Sequence, residues 1–134
     1  MAKAIYAAPH KMRIAIVDES PARAAVIREG LESSGLTDIA VLSERAGLVA
    51  RIEAFAPDVI LMDLANPQRD ELEELFAVSR ALERPVAMFV DQSDDAAMEA
   101  AIDAGVSAYV VDGLKAERIR PIVDLAIKRF NAFA

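Results

Sequence analysis

The sequence predicts an α/β domain built on a parallel β-sheet with helices on both of its faces. Five short apolar runs alternate with five segments in which apolar residues recur at helical spacing. Several of the apolar runs are nearly continuous, which is typical of strands that are covered on both sides. At 134 residues, 54% of them hydrophobic, the chain is long enough for one domain with a substantial core.

The first half of the chain contains three predicted strands and the two helices between them. The strands cover residues 13–18, 38–42 and 58–63. Ser20 and Pro21 predict the start of the first helix, as N-cap and first helical residue, and Gly35 predicts its end. Ser43 is the predicted cap of the second helix, and Pro57 terminates that helix.

The second half repeats the alternation. A helix with one apolar stripe follows the third strand, and two further strands run from Pro85 to near Val90 and over residues 108–111. Ser93 is the predicted cap of the fourth helix, and Gly105 predicts its end. Because Pro121 lies inside the last apolar stripe, we expect the regular helix to begin only a few residues before it.

Composition and charge exclude several classes of protein. The chain has no cysteine, which excludes a disulfide scaffold and thiolate metal sites, and no apolar run approaches the ~20 residues needed to span a bilayer. A net charge of −7 disfavours binding of nucleic acid by this segment itself. We expect a cytoplasmic protein with residues 1–12 as an N-terminal extension, which contains His10, and residues 13–134 as one domain.

Carboxylates stand at the ends of four of the five predicted strands: Asp18 with Glu19, Asp63, Asp91 and Asp112. Ligands of open α/β sheets bind at this edge, where the strand order reverses. An aspartate after a strand often caps the following helix, and we assign Asp91 to that structural role. For the acids after the first and third strands, a shared functional site is the better interpretation.

A cluster of carboxylates needs a compensating cation or raised pKa values, because two such groups about 4 Å apart repel by about 4 kcal/mol at an effective dielectric constant of 20. All-oxygen ligands without nearby histidine or cysteine indicate Mg²⁺, which keeps several waters and needs only one or two carboxylates. Mg²⁺ beside an exposed carboxylate suits phosphoryl transfer, in which the carboxylate attacks phosphorus.

Four stretches together resemble the receiver domain of bacterial two-component response regulators: IVDES, DVILMDLANP, PVAMFV and AGVSAYVV. The resemblance covers residue 13 to about residue 130 in the expected order and spacing. It implies a flavodoxin-like (βα)5 fold with strand order 2-1-3-4-5, a signalling rather than an enzymatic function, and a sensor histidine kinase or sensor protein as partner.

The resemblance also implies roles for individual residues. Asp18 and Glu19 match the acidic pair that holds Mg²⁺, and Asp63 matches the phosphoacceptor and a further metal ligand. Ala65 falls where a backbone carbonyl completes the Mg²⁺ shell. Tyr109 matches the aromatic switch position on the fifth strand.

Two departures from the family pattern put the usual phosphoryl switch in doubt. Val90 stands where the family has a threonine or serine whose hydroxyl binds the phosphoryl group, and Asp112 stands where the family has a lysine. A phosphoryl group adds roughly −1.5 to −2 charges, so Asp112 would replace an attraction with a repulsion. Lys115 is a candidate substitute cation.

The stretch VVDGLKAERIRPIVDLAIKRF resembles the end of the receiver in nitrate-responsive antitermination regulators, in which an RNA-binding ANTAR domain follows. The last helix would then lead to an output domain that controls transcription, and the chain is either a truncated regulator or a free-standing receiver. The family's usual dimer face is formed by the fourth helix, the fifth strand and the fifth helix. Asp103, Arg118 and Arg120 are candidate charges on that face, and Phe130 and Phe133 are candidate partner contacts.

Three functions remain open at this stage. The first is a receiver that is controlled by phosphorylation of Asp63, used weakly if at all. The second is a degenerate receiver that is controlled by protein binding without phosphate. The third, a Mg²⁺-dependent phosphohydrolase, is disfavoured because the first strand lacks an Asp-x-Asp motif. A flavin carrier is disfavoured because no phosphate-binding loop rich in Ser, Thr and Gly follows the first strand.

Overall fold

The computed structural model of the chain describes residues 12–44, 46–64, 69–91, 94–111 and 116–132. Strands and helices alternate along these residues, as the apolar pattern predicts. In chain order the elements are β1 (Arg13–Val17), α1 (Pro21–Ser33), β2 (Asp38–Leu42), α2 (Leu48–Phe55), β3 (Val59–Leu64), α3 (Arg69–Ala81), β4 (Val86–Val90), α4 (Asp95–Asp103), β5 (Ala108–Val111) and α5 (Ala116–Ala132).

The five strands form one parallel sheet in the order β2-β1-β3-β4-β5, which confirms the predicted topology. The strand order reverses at β1, which pairs with β2 on one side and with β3 on the other. Crossover connections on either side of such a reversal point leave a crevice at the carboxyl ends of the central strands.

Two apolar clusters cover the two faces of the sheet, because successive strand residues point to opposite faces. Ile14 and Ile16 of β1 belong to the cluster that α1 and α5 cover. Ala15 and Val17 belong to the cluster that α2, α3 and α4 cover. Every residue of β3 and β4 is buried, as expected for central strands between two layers of helices.

The predicted ends of α1 are confirmed. Ser20 is the N-cap, its hydroxyl accepts a hydrogen bond from the Arg23 N–H at 3.3 Å, and Pro21 is the first helical residue. Gly35 follows the C-terminus of α1 with φ of +88°, a left-handed conformation that glycine adopts without strain. Pro121 is tolerated as the sixth residue of α5, near the start of that helix.

Two predicted helix caps are wrong. The cap of α2 is Gly47 with φ of +65° rather than Ser43, because a turn precedes the helix. The cap of α4 is Asp94, whose side chain accepts a hydrogen bond from the Ala97 N–H at 2.8 Å. Ser93, the predicted cap of α4, lies outside the described residues.

The turn from α2 to β3 contains an unusual backbone conformation. Ala56 is the C-cap of α2 and has φ of +56°, a value that is rare for a residue with a Cβ atom. Arg84 supports this turn, since its Nη1 donates to the Pro57 carbonyl at 2.7 Å and its Nε contacts Glu53 Oε1 at 2.9 Å.

Candidate functional site

Asp18 and Asp63 are side by side at the carboxyl edge of the sheet. β1 and β3 pair in register from Ile14–Val59 to Val17–Met62, so Asp18 and Asp63 are the next residues on these two neighbouring strands. Both share the parity of strand residues that face α1 and α5. Both are buried, at 2% and 6% of their maximal exposure. The sequence-based prediction that these two carboxylates converge is confirmed.

The chain turns directly from Asp18 into helix α1. Asp18 Oδ1 accepts a hydrogen bond from the Ser20 N–H at 2.8 Å, and Ser20 then caps the helix. The Asp18 N–H itself donates to the Leu42 carbonyl at 3.2 Å, which ties the end of β1 to the end of β2. The position of Asp18 is therefore fixed by backbone groups on both sides.

Arg23 supplies a cation to this pair of acids, and the sequence analysis missed it. Its Nη2 donates to Asp18 Oδ1 at 2.8 Å, and its Nε lies 3.5 Å from Asp63 Oδ2. A signal existed in the sequence. Because Ser20 is the N-cap, Arg23 is the third residue of α1. A positive charge there is unfavourable with respect to the helix dipole, so another interaction must favour an arginine at this position.

Burial raises the pKa of Asp63 from its ordinary value of 3.8 to about 6. The loss of hydration is the largest cause, and the neighbouring Asp18 charge is the next. Arg23 opposes these effects and lowers the pKa, whereas a hydrogen bond with Asp18 and the charge of Asp91 raise it further.

A pocket opens beside the two aspartates between the ends of β1, β2 and β3 and the first turns of α3. The space within it, including solvent at its open side, is about 370 Å³. Five acidic residues line it together with Arg23: Asp18, Glu19, Glu44, Asp63 and Glu71. The pocket therefore has a strong excess of negative charge, which favours cations.

The described residues offer a partial set of ligands for Mg²⁺. Asp18 Oδ2 is buried and receives no hydrogen bond from the described part of the chain, so one carboxylate oxygen lacks a positive partner. The carboxylate oxygens of Asp18 and Asp63 are ligands of the kind that Mg²⁺ prefers, and Mg²⁺ needs only one or two carboxylates. No three His, Cys, Asp or Glu side chains among the described residues are arranged to hold a metal ion. Glu19 is exposed and lines the pocket.

The predicted switch positions have different environments. Val90 ends β4, is fully buried and packs in the cluster that α2, α3 and α4 cover. Tyr109 on β5 is half-buried beside Met88 of β4 and packs against the same cluster. The predicted residues Ala65, Asp112 and Lys115, together with His10 and Phe133, lie outside the described residues.

Two minor assignments from the sequence are corrected. Asp91 does not cap α4, whose cap is Asp94, and its charge instead raises the pKa of Asp63. Arg120 does not present its charge on the α4–β5–α5 face. Its Nε pairs with Asp124 Oδ1 at 3.3 Å and its Nη1 donates to the Ser34 carbonyl at the end of α1, also at 3.3 Å.

Comparison with known families decides the identity of the fold. Residues 14–124 match the family model described as the response regulator receiver domain. The chain belongs to the response regulator receiver domain family. The resemblance seen in the sequence is thereby confirmed over most of the chain, and the parallel sheet with strand order 2-1-3-4-5 agrees with it.

Relatives of this receiver include transcriptional regulators. The transcriptional regulatory protein PdtaR of Mycobacterium tuberculosis is 25% identical over 119 residues, which are 89% of this chain and 58% of PdtaR. The transcriptional regulatory protein YdfI of Bacillus subtilis is 26% identical over 121 residues, with 87% of this chain and 55% of YdfI covered. The receiver therefore spans little more than half the length of these relatives.

Solved structures show the same fold. The CheY-like response regulator receiver domain protein of Methanospirillum hungatei superposes with a TM-score of 0.76 at 17% identity, and the match covers 93% of this chain and all of that one.

Among the described residues of this receiver, no helix is both long and apolar enough to cross a membrane.

Proposed function

We propose that this receiver accepts a phosphoryl group on Asp63 from a sensor histidine kinase and passes the signal to an output domain or partner. The observation that carries the proposal is the buried pair of Asp18 and Asp63 at the carboxyl ends of β1 and β3. With a pKa of about 6, Asp63 is mostly ionised at pH 7 to 8 and is then able to act as a nucleophile.

Asp63 performs the chemical step. One of its carboxylate oxygens forms a bond to phosphorus while the phosphorus–nitrogen bond of a phosphohistidine donor breaks, and the imidazole leaves with the bonding electrons. Because Asp63 is 6% exposed, the donor has to approach through the open side of the pocket.

Asp18 and Asp63 would hold Mg²⁺ at this edge, with Glu19 and the Ala65 backbone carbonyl as the further proposed ligands. When bound, the metal offsets negative charge on the phosphoryl oxygens. Asp18 supports this assignment because its position is fixed by the Ser20 N–H while its second oxygen receives no donor from the described residues.

The phosphorylated state is proposed to be weakly populated or short-lived. Val90 is fully buried and has no hydroxyl that could bind a phosphoryl group, and the sequence gives Asp112 at the usual lysine position. Lys115 remains the proposed substitute cation. These features also support a second candidate function, a receiver controlled by protein binding without phosphorylation.

Control of transcription is the proposed output. The similar transcriptional regulators PdtaR and YdfI support it, and so does the resemblance of the last helix to antitermination receivers. RNA binding through a following ANTAR domain and homodimerisation through α4, β5 and α5 are proposals of the same kind.

The decisive experiment is incubation with acetyl phosphate and Mg²⁺, followed by measurement of the intact mass. We expect a fraction of the wild-type protein to gain one phosphoryl group and Asp63→Asn to gain none. Asp91→Asn is the matched control, because it removes an exposed carboxylate from the end of the neighbouring strand and should still be modified. A wild type that gains no mass would favour control by protein binding, and sustained phosphate release from small phosphate esters would favour a phosphohydrolase.

A further inference from the structure

The guanidinium of Arg23 occupies the approach to both buried carboxylates. It is bound to Asp18 Oδ1 at 2.8 Å and lies 3.5 Å from Asp63 Oδ2. The Asp18 side chain is fully buried, whereas the Arg23 side chain retains 41% of its exposure. The arginine therefore reaches from solvent into the site.

The charges of this arrangement do not balance. Ionised Asp18 and Asp63 carry two negative charges, and Arg23 contributes one positive charge. Asp18 Oδ2 remains buried without a donor from the described residues. A single divalent cation would balance both carboxylates, but it would bind the same two carboxyl groups as the guanidinium, and two cations held that close together repel each other.

The backbone of Arg23 is fixed by the start of α1, whereas its guanidinium is held by ion pairs to Asp18 and Asp63. Its backbone N–H is fixed by the Ser20 hydroxyl in the first turn of α1, so the Cα position is constant. Beyond Cβ, the guanidinium forms ion pairs with Asp18 and Asp63, and the side chain stays partly exposed to solvent. Rotation about the side-chain bonds is enough to move the charge into water.

We propose that Arg23 is a tethered counter-ion that holds Asp18 and Asp63 together in the metal-free receiver and competes with a divalent cation for them. Metal binding then requires the guanidinium to swing out into solvent, so Arg23 sets the metal affinity of the site. This inference rests on the proposed function, in which the same two carboxylates hold Mg²⁺.

Arg28 provides a matched control on the same helix. It carries the same charge and a similar exposure, but it pairs with Glu32 at 3.5 Å one turn further along α1 rather than with the site. Replacing either arginine with glutamine changes the net charge of the protein equally. Any general effect of charge on metal affinity is therefore common to both variants.

The test is the Mg²⁺ dissociation constant, measured by isothermal titration calorimetry on the full chain. We expect Arg23→Gln to bind Mg²⁺ about five- to tenfold more tightly than wild type, since a competing partly buried ion pair is removed. Arg28→Gln should stay within about twofold of wild type, as expected for a distant screened charge. Arg23→Lys, which keeps the charge, should bind less tightly than Arg23→Gln.

The outcomes separate this inference from the function beneath it. If wild type and Arg23→Gln bind Mg²⁺ equally, or the variant binds more weakly, Arg23 is a structural ion pair and the inference is wrong while the metal site stands. If neither protein binds Mg²⁺, the proposed metal site fails and the inference fails with it. Thermal unfolding of each variant confirms that the titrated protein is folded.

Discussion

Asp63 Oδ2 lies 3.5 Å from Nε of Arg23, yet the pKa of Asp63 is raised rather than lowered. The attraction of Arg23 is outweighed by the loss of hydration and by the charge of Asp18. Ionised Asp63 is therefore destabilised in the folded protein, and the ion pair with Arg23 only reduces the free-energy cost of its ionisation. This balance makes several properties of the receiver measurable.

Asp63→Asn should stabilise the metal-free fold at neutral pH. The folded-state pKa of about 6 exceeds the ordinary value of 3.8, so folding disfavours the ionised form. This penalty on folding is absent at low pH, where Asp63 is protonated in both the folded and the unfolded protein. It grows as the pH rises from 3.8 to about 6 and is complete above that pH. We expect a gain of about 1–3 kcal/mol at pH 7.5 that shrinks towards pH 4.5, measured by urea unfolding with a chelator present.

Asp124→Asn is the control for that experiment. Asp124 is an exposed acid that pairs with Arg120, and the same chemical change there should alter the free energy of unfolding by less than about 0.5 kcal/mol at both pH values. A loss of stability in Asp63→Asn at pH 7.5 would contradict the account.

Ser20→Ala should weaken the start of α1. The variant loses the hydroxyl that accepts from the Arg23 N–H at 3.3 Å, which is expected to cost about 0.5–2 kcal/mol in urea unfolding. Ser33→Ala is the control near the other end of α1, where an exposed hydroxyl donates to the Glu29 carbonyl. Its cost should be below about 0.5 kcal/mol. Equal effects at both positions would contradict the assigned cap.

Val90→Thr should destabilise the receiver. Val90 is fully buried among apolar residues, and an unpartnered hydroxyl there costs about 1–3 kcal/mol. Val111→Thr is the control at the paired position on β5, which is only half-buried and should lose less. If Val90→Thr is as stable as wild type, the introduced hydroxyl has found a hydrogen-bond partner. A threonine could then occupy this switch position without loss of stability.

Ala56→Gly should stabilise the fold, because Ala56 has φ of +56°, where glycine has no Cβ penalty. We expect a gain of about 0.5–1 kcal/mol at the end of α2. Ala50→Gly, at an exposed position inside the same helix, should instead lose about 0.5–1 kcal/mol. Thermal unfolding of both variants checks the opposite signs, and a loss in Ala56→Gly would contradict the assigned conformation.

The sequence was sufficient to predict the sheet and the pair of acids, because both depend on strong signals. Continuous apolar runs identify central strands, and the carboxyl ends of such strands meet at one edge. Asp18 and Asp63 follow from these two facts. Helix starts are weaker signals, since serine is common in turns. The caps predicted at Ser43 and Ser93 were therefore placed too early, whereas Ser20 was identified by the proline after it.

Arg23 could not be assigned to the site with the same ease. An arginine one turn into a surface helix normally faces solvent. Because its side chain is long and flexible, the spacing of residues in the sequence does not determine which group its guanidinium contacts. The family places a lysine after β5, but the sequence has Asp112 at that position, so Lys115 was the predicted substitute cation. The structure places a cation on α1 instead, within reach of both acids.

The most direct test is the pKa of Asp63, followed by NMR of its side-chain carboxyl carbon in metal-free protein. We predict a value near 6 in wild type, a higher value in Arg23→Gln and an unchanged value in Arg28→Gln. A wild-type pKa near 3.8 would show that Asp63 is not strongly dehydrated. An unchanged pKa in Arg23→Gln would show that this arginine does not neutralise Asp63.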